Sequence, residues 1–161
     1  MKDKFIDKVV SLAEEALEKV IFPNGALITQ RDRLVCESIS MSEQITDPTA
    51  HADIRAACEK EKSANLKEYS LYTSLEPCLM CFYGSYWAGI RRIIYCCTRY
   101  LVSEKCFEGK MSCVSEAYKH THENIELIYD ESLTCRVVAL HSAFQEKIKE
   151  RMMCSKEHII L

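Results

Sequence analysis

Asp47-Pro48-Thr49-Ala50-His51-Ala52-Asp53 and, further on, Thr73-Ser74-Leu75-Glu76-Pro77-Cys78-Leu79-Met80-Cys81 are the two stretches on which the reading of this chain turns. Together they supply an imidazole, a pair of thiols in C-x-x-C spacing and a carboxylate two residues after the imidazole. One histidine and two cysteines are a donor set suited to zinc, and three protein ligands leave the fourth tetrahedral position open, as in catalytic rather than structural sites. A carboxylate beside such a centre can carry protons without being a ligand. His51, Cys78 and Cys81 are therefore the candidate metal ligands, for one zinc ion per chain, and Asp53 is the candidate catalytic acid–base. The competing reading of Asp53 is a charge that favours the positive end of a helix.

Local signals around these stretches predict the elements that carry them. Phe5, Val9, Leu12 and Ala16, flanked by Ile6, Val10, Ala13 and Leu17, recur at helical spacing and predict a helix over residues 3–20. Pro23-Asn24-Gly25 closes it. Residues 26–29 and 34–39 read as a hairpin. The Asp47-Pro48-Thr49 turn opens a second helix, capped by Thr49 or Asp47, running to about Ala64 with His51 and Asp53 in its first turn. A strand is expected over 69–74, then a helix with Pro77 in its first position and Cys78 and Cys81 on one face. Further strands are expected at 92–97 and 125–129, with a helix near 113–120 between them. A final helix is expected over about 132–152, with an irregular tail from about 152. Alternating helices and strands after the hairpin predict an α/β domain with a mixed five-stranded sheet flanked by helices, its 92–97 strand parallel to 69–74.

The chain has 161 residues, 48% hydrophobic and 28% charged, a size that one domain spanning 1–161 accommodates. With 4 Gly and 3 Pro it lacks the composition of a long disordered linker. No apolar run reaches the ~20 residues that a bilayer requires, and the charged N-terminus lacks the apolar centre of a secretion signal. A cytoplasmic protein with reduced thiols is expected, because the 10 cysteines are irregularly spaced. The net charge of −3 disfavours nucleic acid as a partner. Lys147, Lys149, Arg151 and Lys156 form a local basic cluster, read as a solvated helix face. Cys96 and Cys97 read as core residues on a strand, Tyr86 and Trp87 as core aromatics, His120 and His122 as surface residues, and His141 as partly buried.

The two motif stretches, together with Gly84-Ser85-Tyr86-Trp87-Ala88-Gly89-Ile90-Arg91-Arg92 through Thr98-Arg99, resemble the cytidine and deoxycytidylate deaminase superfamily. Within it the chain is most similar to the guanine deaminase and tRNA adenosine deaminase branch. The resemblance covers about residues 1–150 and implies the three-layer cytidine-deaminase-like fold and hydrolytic removal of an exocyclic amino group from a nucleobase or nucleoside, with a purine such as guanine as the leading substrate. His51, Cys78 and Cys81 are implied to hold Zn²⁺, and position 53 to shuttle protons. The backbone N–H groups of Ala52 and Cys78 and the carbonyl of Glu76 are implied to fix the substrate. A small-molecule substrate and a homodimer, with the helix of Trp87 as a candidate interface, are the partners implied.

The departures from the family pattern are specific. The usual Glu is Asp53, whose carboxylate stands about 1 Å back, and a displacement of that order can cost about 100-fold in rate. The usual P-F-G-A reads Pro23-Asn24-Gly25-Ala26. A substrate-contacting Asn is replaced by Ser40 or Met41, and a late substrate-side acid has its equivalent in Glu108, within Phe107-Glu108-Gly109. These departures keep a second reading open, a zinc-stabilised binding module without turnover. A third, a tRNA adenosine deaminase, is favoured by the basic C-terminal cluster.

Overall fold

The structure is a computed structural model that describes residues 3–58, 65–102 and 114–157. Its first helix, α1 (Lys4–Glu18), starts at an N-cap, Asp3, whose carboxylate accepts the Phe5 N–H, and buries the predicted apolar stripe. Strands β1 (Gly25–Gln30) and β2 (Arg33–Ile39) form the expected hairpin. They are followed by α2 (Ala52–Cys58), β3 (Tyr69–Thr73), α3 (Leu79–Trp87), β4 (Arg92–Tyr95), α4 (Val114–Ala117), β5 (Glu126–Tyr129) and α5 (Thr134–Glu157). The sheet order is β2-β1-β3-β4-β5, antiparallel in the first two pairings and parallel in β3–β4 and β4–β5. This is the expected mixed five-stranded sheet, with the change of direction falling between β1 and β4.

Alternation along the central strands makes three layers. Leu27, Tyr72 and Ile94 point to one face and pack with Ile6, Val9 and Val10 of α1 and Val137 of α5. Ala26, Ile28, Leu71 and Ile93 point to the other, against Ala52 and Ala56 of α2, Phe82 of α3 and Val114 of α4. Gly25 permits α1 to lie close to the start of β1: a Cβ there would meet the backbone oxygen of Val9 and come within 2.9 Å of the Ala13 nitrogen. Gly84 faces α2 across the two motif helices, where a Cβ would meet the Cδ1 end of the Ile54 side chain.

Several expectations need correction. His51 precedes α2 rather than lying in its first turn; its carbonyl accepts the Arg55 N–H at 2.9 Å. Asp47 does not cap the helix, because its carboxylate closes the turn by accepting the N–H and hydroxyl of Thr49 at 2.8 and 2.7 Å. Pro77 lies outside α3, whose N-cap is Cys78. Strand β4 stops at Tyr95, so Cys96 and Cys97 are buried in the bend beyond it: Cys96 N–H still donates to the Thr73 carbonyl at 3.2 Å, while the Cys97 carbonyl accepts the Glu76 N–H at 2.7 Å. The irregular tail expected from 152 is instead helix to Glu157, a segment with neither Gly nor Pro to stop it. Trp87 is no core residue. It is 83% exposed at the end of α3. The second helix's expected end near Ala64 and the expected helix start at Cys113 lie outside the described residues.

Candidate active site

Two chain reversals deliver the donors. After β2, Met41 N–H bonds the Ala50 carbonyl at 2.9 Å, and His51 N–H bonds the Thr49 carbonyl at 2.7 Å, which fixes the imidazole just ahead of α2. After β3, Glu76 is tied to the bend beyond β4 by its own N–H and by its carboxylate, which accepts the Arg99 N–H at 3.0 Å. That places Cys78 at the N-cap of α3, its sulfur accepting the Cys81 N–H at 3.4 Å. Both motif helices thus begin on a ligand residue, and the close approach at Gly84 brings those beginnings together.

His51 Nδ1 stands 3.6 Å from Cys78 Sγ and 3.4 Å from Cys81 Sγ. Zinc–nitrogen bonds of ~2.0–2.1 Å and zinc–sulfur bonds of ~2.3 Å at tetrahedral angles require an N···S edge of about 3.6 Å. All three donor atoms lie within 4.8 Å of one another, and among the described residues no other His, Cys or carboxylate joins the group. The residues present therefore fit a three-ligand zinc centre. Hydrogen bonding from the Cys81 thiol, with a further contribution from His51, pulls the Cys78 thiol down to about 4, while Cys81 is driven up as it keeps the shared proton. The hydrogen bond with Cys78 raises His51 against the opposing effect of burial. The cluster holds its ligands partly deprotonated before any ion arrives.

Asp53 is 1% exposed, and burial lifts its carboxyl to about 6, with the Thr73 hydroxyl the main opposing influence. Its Oδ2 accepts from Asn24 Nδ2 at 3.5 Å, while its Oδ1 is buried with no hydrogen-bond partner. An orphaned carboxylate oxygen beside three metal donors is a poor structural feature and a good proton acceptor. Ala52 and Glu76, expected to touch substrate, are buried next to the ligands in sequence. Ser40 is buried beyond the end of β2, with its hydroxyl 3.5 Å from that of Ser42, and Met41 is half-buried. Glu108 lies outside the described residues. Asn24 and Thr73 were missing from the sequence-derived site. The only signal for Asn24 was an amide where the resembled family has an aromatic ring.

Residues 1–97 match the cytidine and deoxycytidylate deaminase zinc-binding region. The chain belongs to this deaminase family. It is 32% identical to a guanine deaminase of Bacillus subtilis over 136 residues, 82% of this chain and 86% of that one. It is 33% identical to a tRNA-specific adenosine deaminase of Aquifex aeolicus over 97 residues, 58% of this chain and 64%, just under two thirds, of that relative. A solved guanine deaminase from Nitrosomonas europaea superposes with a TM-score of 0.74, covering 86% of this chain and 81% of its own at 21% identity, which establishes the common fold.

Proposed function

We propose that this family member is a zinc-dependent hydrolytic deaminase that replaces the exocyclic amino group of a purine base, guanine or a close relative, with oxygen and releases ammonia. The observation that carries the reading is Asp53: a buried carboxylate, one oxygen of which has no partner at hydrogen-bond geometry, beside a zinc-shaped donor triad. Zinc, held by His51, Cys78 and Cys81, supplies an activated water when bound. Asp53 would take one proton from that water and pass it to the ring nitrogen, then carry the water's second proton to the departing amine, which leaves as ammonia. The backbone N–H groups of Ala52 and Cys78 and the Glu76 carbonyl are oriented by the bonds that fix the two reversals, so they orient the base without rearranging. Ser40 stands in for the family's substrate-contacting Asn, and Glu108 for the late acid.

The purine assignment rests on the longer alignment with the Bacillus guanine deaminase. The acidic balance of the chain and the exposed mixture of Glu146, Lys147, Lys149, Glu150 and Arg151 on α5 favour a small molecule over tRNA. Met80, Tyr83 and Trp87, exposed by 38, 38 and 83%, line one side of α3 and support a homodimer through that helix. Among the described residues no helix is long and apolar enough to cross a membrane. Among the described residues, Cys78, Cys81, Cys96, Cys97 and Cys135 are thiols outside any disulfide, which supports a reducing, cytoplasmic setting.

The test is metal analysis of the purified protein together with ammonia release from guanine, adenine, cytosine, their nucleosides and tRNA. One zinc per chain and turnover of guanine are expected. One zinc with no ammonia from any base would leave the binding-module reading in its place, and adenosine turnover only within tRNA would favour the third.

A further inference from the structure

The two departures at positions 24 and 53 lie far apart in the sequence and touch in the fold. Asn24 is 7% exposed in the segment that leads into β1, and its amide is polarised by a short chain of hydrogen bonds. Gly25 N–H donates to Ser74 Oγ at 3.1 Å. With that lone pair engaged, the Ser74 hydroxyl donates its proton to Asn24 Oδ1 at 2.8 Å. The Thr73 hydroxyl lies 3.2 Å from the same oxygen and 3.0 Å from the Leu75 carbonyl. The amide oxygen is thereby assigned to the strand ends, which turns the amide nitrogen toward Asp53 Oδ2, at 3.5 Å. That distance is longer than an ordinary N–H···O bond, so the contact is a weak one in the free protein. Oδ2 thus faces the Asn24 amide while Oδ1 has no partner at hydrogen-bond geometry, with the Thr73 hydroxyl and the Cys81 thiol also close enough to act on the carboxylate.

We infer that Asn24 is a positioning residue that, anchored through Ser74 to the Gly25 backbone, aims the short Asp53 carboxylate at the zinc-bound reaction centre. The inference rests on the deaminase reading for its kinetic consequence but not for the contact itself. An Asp side chain has one fewer rotatable bond than Glu, so a donor at the rear can fix its direction. A longer carboxylate would reach the centre without such a donor, and the amide would crowd it.

The experiment is a pair of double-mutant cycles. In the zinc-loaded protein, Asn24→Ala is expected to lower kcat about 30-fold, within the cost of an ~1 Å misplacement. KM should stay within about threefold and zinc at one per chain. Ser74→Ala should lower kcat in the same direction by less. In an Asp53→Glu background, Asn24→Ala should change kcat by under about threefold. An equal loss in both backgrounds, or a loss confined to KM, overturns the inference. The second cycle needs no turnover: urea unfolding of the metal-free protein with Asn24→Ala, Asp53→Ala and both. The single Asn24→Ala shift in the folding equilibrium should shrink about fivefold or more once Asp53 is absent, and additive shifts overturn the pairing. A wild type inactive on every base ends the deaminase reading and leaves this second cycle to decide the contact.

Discussion

On the proposed reading, Asp53 is the residue on which activity turns. Replacing it by Asn keeps the shape of the side chain and removes its ability to carry a proton. Asp53→Asn is expected to lower turnover by about 100- to 10,000-fold, the usual share of general acid–base catalysis, while metal analysis still finds one zinc per chain. Cys81→Ala, by contrast, should lose the metal itself. His141 makes a prediction about stability. It is 1% exposed on α5, its ring edge-on to Phe22, and burial lowers it to about 4. The unfolded chain therefore binds a proton near pH 6.5 that the folded one refuses until about 4. Stability from this group is intact above 6.5 and is lost as pH falls through that window, on the order of 3 kcal/mol in total. In metal-free protein Asp53 acts with the opposite sign, since its raised value stabilises the fold at low pH and is lost as pH rises through about 6. Urea midpoints for wild type and His141→Gln at pH 7.5 and 4.5 separate the two: the variant should lose less stability on acidification.

The elements matter through where they begin. His51 sits just before α2 and Cys78 caps α3, so each helix start presents a ligand as part of its own termination chemistry. Asn24, Gly25 and Ser74 tie the start of β1 to the end of β3 beside them. Gly25→Ala should destabilise the protein by about 1–3 kcal/mol, as overpacking against the α1 backbone does, with the shift read from the urea midpoint. Because it also moves Asn24, kcat should fall by more than stability alone explains. The periodicity of α1 and the alternation of β1 were legible because one buried face per element is a local property of sequence. The misjudged ends, at Pro77, Cys97 and beyond Met152, were decided by which backbone groups found partners. Trp87 illustrates the same limit: its composition reads as core, yet the helix turns it away from the sheet.

Across the whole molecule the zinc site joins two connections made after β2 and after β3, on the α2–α3 side of the sheet. A bound ion therefore links segments whose ligands, His51 and Cys81, are 30 residues apart in the sequence. Removing it with a chelator should lower the melting temperature in proportion to the linkage, about 4 kcal/mol at a thousandfold excess of metal over its dissociation constant. Calorimetry before and after dialysis measures the shift, and an unchanged melting curve would show that no ion is bound preferentially to the folded chain.

The sequence by itself determined the donor set, the element order and the mixed sheet, because ligand spacing and hydrophobic periodicity are encoded over a few residues. Only the tertiary structure decided that Asn24 meets Asp53, that Oδ2 faces its amide while Oδ1 has no partner at hydrogen-bond geometry, and that the aromatic end of α3 faces outward. Those facts depend on how separate strand ends and helix starts are brought together by packing on the two faces of one sheet, and no local pattern carries that information.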